Sequence, residues 1–325
     1  MTDASPRWAA LFPGQGSQAV GMGQKLASTY PEAAEVFKTA DEVLGEPLSR
    51  LIFEGPDDDL RLTRNTQPAL VTVSIAAWRV LEKRVSMPVV GAGHSLGEYS
   101  ALVAAGVLAF EDAVRAVRLR GDAMQDAVPP GEGAMAAVIG LDAASVEALC
   151  KQCREGHEVL VPANFNAPDQ VVIAGHREAV ERFAALAPEA GAKKVVPLPV
   201  SAPFHSPLMR PAAERLADFL AGVEFRDARF PIVANVDATP VHGGALARQR
   251  LIEQVAAPVR WVEGSRSLEQ DHAANVGVEI GPGRVLTGLS RRINDRLKVV
   301  PFGEPEDLER LIEKLTAAPA AEESQ

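Results

Sequence analysis

The chain has 325 residues, of which 47% are hydrophobic and 23% are charged, and its formal net charge is −10 at pH 7. This composition is typical of a soluble globular protein, and no apolar run approaches the ~18 residues that a membrane span requires. The acidic balance argues against nucleic acid or an anionic membrane as a partner. The N-terminus carries an acidic residue and no apolar signal core, which predicts a cytoplasmic protein.

Alternating strand and helix patterns predict an α/β protein whose core is interrupted once. The first part has predicted strands at 8–12 and 87–93 and predicted helices at 31–44, 69–83 and 110–128. After a turn-rich linker comes a β-α-β-β-α-β series, which is the pattern of a ferredoxin-like unit. After this unit the alternation of helices and single strands resumes, with predicted helices at 207–221, 246–255 and 284–293 and strands at 230–236 and 275–280.

The predicted domain boundaries follow from this order. Residues 1–130 and 199–325 form one discontinuous α/β domain, residues 131–198 form the inserted α+β subdomain, and 317–325 form a flexible tail. A cleft between two such units is a preferred place for a ligand. We expect the protein to be a monomer.

The two cysteines, Cys150 and Cys153, form a C-x-x-C pair, a pattern found in zinc and redox sites. No second cysteine pair or nearby histidine completes a four-ligand set. The pair also lies inside an amphipathic helical stretch rather than at a helix start, where a thiolate is stabilised. We therefore predict two thiols without a chemical role and no metal site.

Gly91, Gly93 and Gly97 surround His94 and Ser95, between an apolar run and an apolar helical stretch. A dinucleotide-binding loop requires G-x-G-x-x-G, but here the third glycine is one position late, and no P-loop Lys-Ser or Lys-Thr pair follows. The same residues contain G-x-S-x-G with a strand before it and a helix after it, the setting of a nucleophile elbow. The sequence therefore favours a serine nucleophile over a phosphate loop.

A serine nucleophile needs a neighbouring base, because its hydroxyl is unreactive until the proton is removed. Of the six histidines, His205 lies in a loop between the strand that leaves the inserted unit and a helix, where it can face the cleft. His94 is adjacent to Ser95 and is expected to make only a local structural contact. No strand-end Asp stands out between Ser95 and His205, so a backbone carbonyl is the alternative acceptor for the imidazole.

Seven motifs then occur in an order that identifies a family. They are FPGQGSQAVGMG from Phe12, GHSLGEYSALVAAG from Gly93, LRGDAMQDAVP from Leu119, NFNAPDQVVIAG from Asn164, SAPFHSPLM from Ser201, NVDATPV from Asn235 and EIGPGRVLTGL from Glu279. Over residues 8–300 the chain resembles the malonyl-CoA:acyl carrier protein transacylases. The resemblance implies a hydrolase-like parallel-sheet core domain with an inserted ferredoxin-like α+β subdomain.

The resemblance also implies roles for the catalytic residues. Ser95 matches the nucleophile that becomes malonylated, and His205 matches the general base. The family orients this histidine through a main-chain carbonyl, which falls on Gln254 and would account for the missing acid. Gln15 and the backbone amide of Leu96 match the oxyanion hole, which stabilises the tetrahedral intermediate.

The substrate site follows from the same resemblance. Arg120 matches the arginine that holds the free carboxylate of malonate, and the fork of a guanidinium pairs with a carboxylate bidentately. Phe204 resembles the bulky residue of malonyl-selective members, where it crowds an α-methyl group. Met124 and Asn164 are expected to contact the substrate as well.

The implied reaction is ping-pong transfer from malonyl-CoA to the phosphopantetheine thiol of holo-acyl carrier protein, in fatty acid synthesis, with no metal or redox cofactor. Carrier proteins are acidic, as is this chain, so a local basic contact is expected, and the candidates are Arg291 with Arg292 and Lys193 with Lys194. A serine hydrolase or thioesterase of the same elbow type is the alternative. Arg120 and the missing acid favour the transferase, and a degenerate scaffold would have lost Ser95 or His205.

Overall fold

The computed structural model describes residues 6–200, 202–294 and 296–316. The strands of the large domain are β1 (Trp8–Phe12), β2 (Val90–Gly93), β7 (Ile232–Val233), β8 (Pro240–Val241), β9 (Val276–Ile280) and β10 (Lys298–Phe302); those of the inserted unit are β3 (Gly133–Ile139), β4 (Leu160–Ala167), β5 (Gln170–His176) and β6 (Lys194–Pro197). The helices before the inserted unit are α1 (Gln24–Thr29), α2 (Pro31–Leu44), α3 (Leu48–Glu54), α4 (Asp57–Arg61), α5 (Thr63–Leu81), α6 (Gly97–Ala104) and α7 (Phe110–Asp126). Those inside and after it are α8 (Ala143–Gln152), α9 (Arg177–Leu186), α10 (Arg210–Ala221), α11 (Gly244–Gln254), α12 (Trp261–Gln270), α13 (Val285–Ile293) and α14 (Leu308–Thr316).

The large domain is built on a six-stranded sheet in the order β10-β9-β1-β2-β7-β8. Its strands pair in parallel except for the short β8, which is antiparallel to β7. The central strand β1 is buried along its whole length, as expected for a strand with helices on both faces of the sheet. Because β1 and β2 are neighbours, the loops at their carboxyl ends lie side by side, and the predicted serine turn follows β2.

The inserted unit is a four-stranded sheet in the order β4-β5-β3-β6, with antiparallel pairing throughout. With α8 and α9 it has the β-α-β-β-α-β order predicted from the sequence, and it has its own small hydrophobic core. The predicted fold class, an α/β core with a parallel sheet and a second α+β sheet, is confirmed. Cys150 and Cys153 are unpaired thiols within that small core, and burial raises the pKa of Cys150 to about 12.

Several predicted boundaries were wrong. The helix expected over 69–83 begins earlier, at Thr63, and the strand expected over 87–93 begins only at Val90. The strand expected over 230–236 is reduced to β7, because the chain leaves the sheet after Val233 so that Asn235 can bond to the serine turn. The sequence patterns did not indicate α1, α3, α4, α12, α14, β8 or β10. The flexible tail expected over 317–325 lies outside the described residues.

The two units are joined by backbone contacts beside the serine turn. The Phe165 amide donates to the Val259 carbonyl at 2.9 Å, and the Val259 amide donates to the Ala163 carbonyl at 2.9 Å. These bonds attach β4 of the inserted sheet to the segment between α11 and α12, and so fix one wall of the cleft. Among the described residues, no helix combines the length and the hydrophobicity of a transmembrane segment.

Candidate active site

Ser95 lies at a sharp turn between β2 and α6, with a backbone φ of 51°. Left-handed backbone is strained for a residue with a side chain, and such strain concentrates at functional sites. The glycines on either side make the turn possible. A Cβ on Gly93 would lie 2.0 Å from the Gly97 carbonyl carbon, and a Cβ on Gly97 would lie 2.1 Å from the Phe12 carbonyl oxygen. The strand-to-helix turn expected from G-x-S-x-G is therefore present, and neither glycine can be replaced without moving backbone.

His205 reaches Ser95 from the distant loop, as predicted. Its Nε2 lies 2.7 Å from Ser95 Oγ, and its Nδ1 lies 2.9 Å from the main-chain oxygen of Gln254. Because a carbonyl can only accept, Nδ1 carries the proton and Nε2 is left as the acceptor for the serine hydroxyl. Burial, reinforced by the positive charge of Arg120, lowers the pKa of His205 to about 3. The imidazole is thus neutral at neutral pH and ready to accept a proton.

Arg120 lies beside the serine rather than on the surface of its helix. Its side chain is buried, and Nη2 donates to Ser95 Oγ at 3.3 Å and to Gln254 Oε1 at 2.9 Å, while Nη1 donates to Gln67 Oε1 at 2.8 Å. All three acceptors are neutral, and Nε is buried without a hydrogen-bond partner among the described residues. Burial lowers the pKa of Arg120 from its usual range, but a guanidinium still keeps its charge. The site therefore contains a buried cation without a directly bonded anion.

The sequence interpretation missed Gln67, Glu98 and Asn235. Asn235 Oδ1 accepts from the Ser95 amide at 2.6 Å, and Asn235 Nδ2 donates to the Gly93 carbonyl at 2.7 Å, so this side chain holds both sides of the turn. Glu98 is buried in the first turn of α6, and burial raises its pKa to about 7. Asn235 and Glu98 both lie in motifs that identify the family, which was the available signal.

A cavity of about 370 Å³ opens over Ser95, between the large domain and the inserted unit. Eight of the eleven predicted site residues line it, namely Gln15, Ser95, Leu96, Arg120, Met124, Asn164, Phe204 and His205. Gln67 and His94 line it as well. Gln15 Nε2 donates to Thr63 Oγ1 at 3.2 Å, which holds its side chain at the cavity wall. Leu96 immediately precedes α6, so its amide belongs to the helix N-terminus, where backbone donors favour negative charge.

His94 does more than shape the turn. Its Nε2 lies 2.7 Å from Asn166 Oδ1 on β4, and its ring packs 5.3 Å from the ring of Trp261 on α12. The residue next to the nucleophile therefore links the turn to the inserted unit. This contact is consistent with the structural role expected for it, although it spans two units rather than staying local.

Arg291 and Arg292 lie in the last turn of α13 and are exposed, and neither lines the cavity. Arg292 donates from Nη1 to Gln170 Oε1 at 2.5 Å and from Nη2 to the Asp169 carboxylate, so it is engaged within the chain. The two arginines expected to act together thus differ, and Arg291 is the more available for a partner. Among the described residues, no group of three or more His, Cys, Asp or Glu side chains could hold a metal ion.

Comparison with known proteins agrees with this geometry. Residues 10–301 match the acyl transferase domain family. The malonyl CoA-acyl carrier protein transacylase of Salmonella typhimurium is 49% identical over 300 residues, covering 92% of this chain and 96% of that protein. The protein of the same name from Bacillus subtilis is 47% identical over 307 residues, covering 94% of this chain and 96% of that protein.

Solved structures have the same fold. The malonyl CoA-acyl carrier protein transacylase of Coxiella burnetii superposes with a TM-score of 0.94 at 43% identity, covering 97% of this chain and 99% of that one. A malonyl-transacylase in complex with a type II PKS acyl-carrier protein superposes with a TM-score of 0.91 at 46% identity, covering 95% of this chain and 99% of that one. The chain therefore belongs to the acyl transferase domain family and, within it, to the malonyl CoA-acyl carrier protein transacylases.

Proposed function

We propose that this chain transfers the malonyl group of malonyl-CoA to the phosphopantetheine thiol of acyl carrier protein and so supplies extender units for fatty acid synthesis. The observation that carries the proposal is the position of Arg120, a buried cation 3.3 Å from the nucleophile oxygen of Ser95. A short acyl group on Ser95 that ends in a carboxylate would meet this guanidinium. An acetyl group carries no charge, so it cannot form an ion pair with this guanidinium.

In the first half-reaction, His205 Nε2 takes the proton of Ser95 as Oγ attacks the thioester carbon of malonyl-CoA. The oxyanion that forms is held by Gln15 and by the backbone amide of Leu96. Collapse of the tetrahedral intermediate breaks the carbon–sulfur bond, and the departing thiolate takes the proton from His205. The products are malonyl-Ser95 and free CoA.

In the second half-reaction, the carrier protein's thiol gives its proton to His205 and attacks the ester carbonyl of malonyl-Ser95. Collapse breaks the bond to Ser95 Oγ, which takes back the proton from His205. The hydrogen bond from Nδ1 to the Gln254 carbonyl stabilises the imidazolium formed in each step. We propose no cofactor, because these side chains supply the nucleophile, the base and the electrophilic groups.

The remaining cavity residues select the acyl group. We propose that Phe204 limits the space beside the α-carbon of the bound acyl chain, and that Met124 and Asn164 close the site around it. Met124 is buried, and its sulfur lies 3.8 Å from Gln67 Nε2, so it packs against the same glutamine that bonds Arg120. Asn164 is held at the junction of the two units by its bridge to Val259.

The carrier protein is the second substrate, and we propose that Arg291 contacts its acidic surface, with Arg292 beside it. Arg291→Glu should slow transfer to the carrier protein by about tenfold and leave malonylation by malonyl-CoA unchanged, because a charge at the rim of an interface mainly affects association. Arg50→Glu, on the exposed face of α3, is the matched control. Equal loss in both half-reactions would exclude this contact.

We further propose that the protein acts as a cytoplasmic monomer, since one copy of the chain supplies every residue of the proposed site. Size-exclusion chromatography with light scattering tests the oligomeric state. A dimer whose dissociation abolishes activity would contradict the proposal.

The alternative, hydrolysis of malonyl-CoA through the same serine, is separated by a product assay. Purified protein is incubated with malonyl-CoA and holo-acyl carrier protein, and both malonyl-carrier protein and free malonate are quantified. The proposal predicts carrier-protein loading in large excess over malonate. Malonate release that does not depend on the carrier protein would favour the hydrolase.

A further inference from the structure

Glu98 is the buried carboxylate beneath the serine turn, with 2% of its surface exposed. Its Oε2 accepts two hydrogen bonds, from Gln254 Nε2 at 2.8 Å and from the Asn235 amide at 3.0 Å. Both donors come from segments far away in sequence, which reach the site after β7 and at the end of α11. One carboxylate oxygen therefore ties two distant segments to the first turn of the nucleophile's helix.

We propose that Glu98 is a positioning residue, whose carboxylate fixes Gln254 and Asn235 and through them orients Arg120, His205 and the serine turn. The inference rests on the proposed function, because it explains how the side chains of that reaction are kept in place. Glu98 itself does not line the cavity and acts only through its neighbours.

The neighbours of Gln254 determine which way its side-chain amide is oriented, that is, where Oε1 and Nε2 point. Arg120 can only donate, so the amide of Gln254 must present Oε1 to Arg120, and its Nε2 is left to donate to an accepting oxygen of Glu98. The observed bonds have this arrangement, at 2.9 Å and 2.8 Å, and Nε2 also donates to the Ser95 carbonyl at 2.9 Å. The main-chain oxygen of the same glutamine holds His205. Gln254 thus contacts nucleophile, base and arginine, and Glu98 holds its amide in the required direction.

Asn235 is the second residue through which Glu98 acts on the serine turn. Its side chain bonds to the Ser95 amide and to the Gly93 carbonyl, while its own amide is held by Glu98. The left-handed backbone of Ser95 is strained, so it persists only if its surroundings enforce it. Losing the acceptor at Glu98 would free the residue that enforces it.

The charge environment fits this role. No Arg or Lys among the described residues forms an ion pair with Glu98, and the charged or titratable groups that act on it are Arg120, Asp237 and Tyr99. Burying a carboxylate without an ion pair is costly, and an apolar residue of similar volume would avoid that cost. The carboxylate is therefore explained by the two donors that it accepts from.

The test compares Glu98→Gln, which keeps an accepting oxygen, with Glu98→Met, which has a similar volume and no acceptor. Glu98→Asp is made alongside, because it keeps the charge but withdraws the oxygen. Glu279 provides the matched control, since it is also fully buried and accepts from the Leu286 and Thr287 amides at 2.9 Å and 2.8 Å at the start of α13. Glu279→Met removes a buried carboxylate acceptor at a residue that does not line the cavity.

Two quantities are measured for each variant, a labelling rate and a substrate ratio, and the melting temperature checks that the variant is folded. Labelling of Ser95 by a fluorophosphonate depends on the serine–histidine pair and needs no acyl donor. The ratio of malonyl-CoA to acetyl-CoA in acylation of Ser95 depends on Arg120. We expect both to fall by about 10- to 100-fold in Glu98→Met and Glu98→Asp, the range for leaving buried hydrogen-bond donors without their acceptor. Glu98→Gln should stay within about threefold of the parent protein.

Glu279→Met should lower the melting temperature and leave both measurements near their parent values. The inference is overturned if folded Glu98→Met and Glu98→Asp keep the parent labelling rate and ratio, if Glu98→Gln is as impaired as Glu98→Met, or if Glu279→Met changes the ratio equally. Failure of the proposed function is recognised separately, because fluorophosphonate labelling still reports on Glu98 in a protein that transfers no malonyl group.

Discussion

Arg120→Met removes the buried cation that we assign to the malonyl carboxylate. Methionine is unbranched and apolar, and replacing a buried charge by an apolar side chain of similar length is often tolerated. The substitution also leaves Gln67 Oε1 and Gln254 Oε1 without the donor that each now has. The serine–histidine pair does not contain this residue, so acylation by uncharged groups should persist.

The size of the effect follows from the bonds that would be lost. A carboxylate held by the guanidinium fork forms two charge-assisted hydrogen bonds, each worth about 1.5–3 kcal/mol. Their sum, about 3–6 kcal/mol, corresponds to a fall of about 10²- to 10⁴-fold in kcat/KM for malonyl-CoA. Acetyl-CoA carries no carboxylate, so its kcat/KM should change by less than about tenfold. Arg120→Lys, which keeps the charge without the fork, should lie between.

The assay measures acylation of Ser95 by malonyl-CoA and by acetyl-CoA in rapid-quench experiments, with thermal unfolding to check the fold. Arg118→Met is the matched control, because Arg118 lies on the same helix but donates to Asn65 at 2.8 Å and to Glu46. Arg118→Met should keep the parent preference. A malonyl-to-acetyl ratio that is unchanged in folded Arg120→Met would refute the assignment of Arg120.

Three further predictions follow from the same geometry. The pKa of His205 is lowered from an ordinary 6.5, its value in the unfolded chain, to about 3 in the folded protein. The stability that this histidine contributes is therefore present above pH 6.5 and is lost as the pH falls through the folded pKa. Fluorophosphonate labelling should therefore stay constant down to about pH 5, and Arg120→Met should move its acidic limb to higher pH; a limb near pH 6.5 in the parent protein would contradict this. Phe204→Ala should raise kcat/KM for methylmalonyl-CoA by about tenfold or more relative to malonyl-CoA, and an unchanged ratio would remove Phe204 from the selectivity account. Gly97→Ala should lower the free energy of unfolding by about 3 kcal/mol or more in denaturant titrations, whereas Gly288→Ala, with no heavy atom within 4 Å of the added Cβ, should not; equal stability of the two variants would contradict the reported crowding.

Local sequence signals were sufficient for the parts of the site that depend on short segments. The glycine spacing around Ser95 requires a sharp turn, and the change of pattern between 131 and 198 separates the inserted sheet from the core. The position of His205 after that unit placed it at the cleft. The acceptor for its Nδ1 came from the family resemblance, since nothing in the sequence near Gln254 indicates where its carbonyl points.

The partners that hold the site together could not be predicted, because they are long-range. Glu98 is separated in sequence from Asn235 and from Gln254 by more than a hundred residues, and the periodicity of a sequence does not indicate which distant residues form a hydrogen bond. The length of strand β7 was overestimated for the same reason. Its apolar run favours a longer strand, but the bond from the Ser95 amide to Asn235 draws the chain out of the sheet. Tertiary hydrogen bonding overrode local preference there.

We propose that Ser95 carries the malonyl group between the two thiols. The decisive measurement is the mass of the intact protein and of its Ser95 peptide, after addition of malonyl-CoA and again after addition of holo-acyl carrier protein. We expect one added malonyl group on the Ser95 peptide, its disappearance as malonyl-carrier protein forms, and no modification of Ser95→Ala. Malonyl-carrier protein formed at the parent rate by Ser95→Ala, or free malonate in place of malonyl-carrier protein, would contradict it.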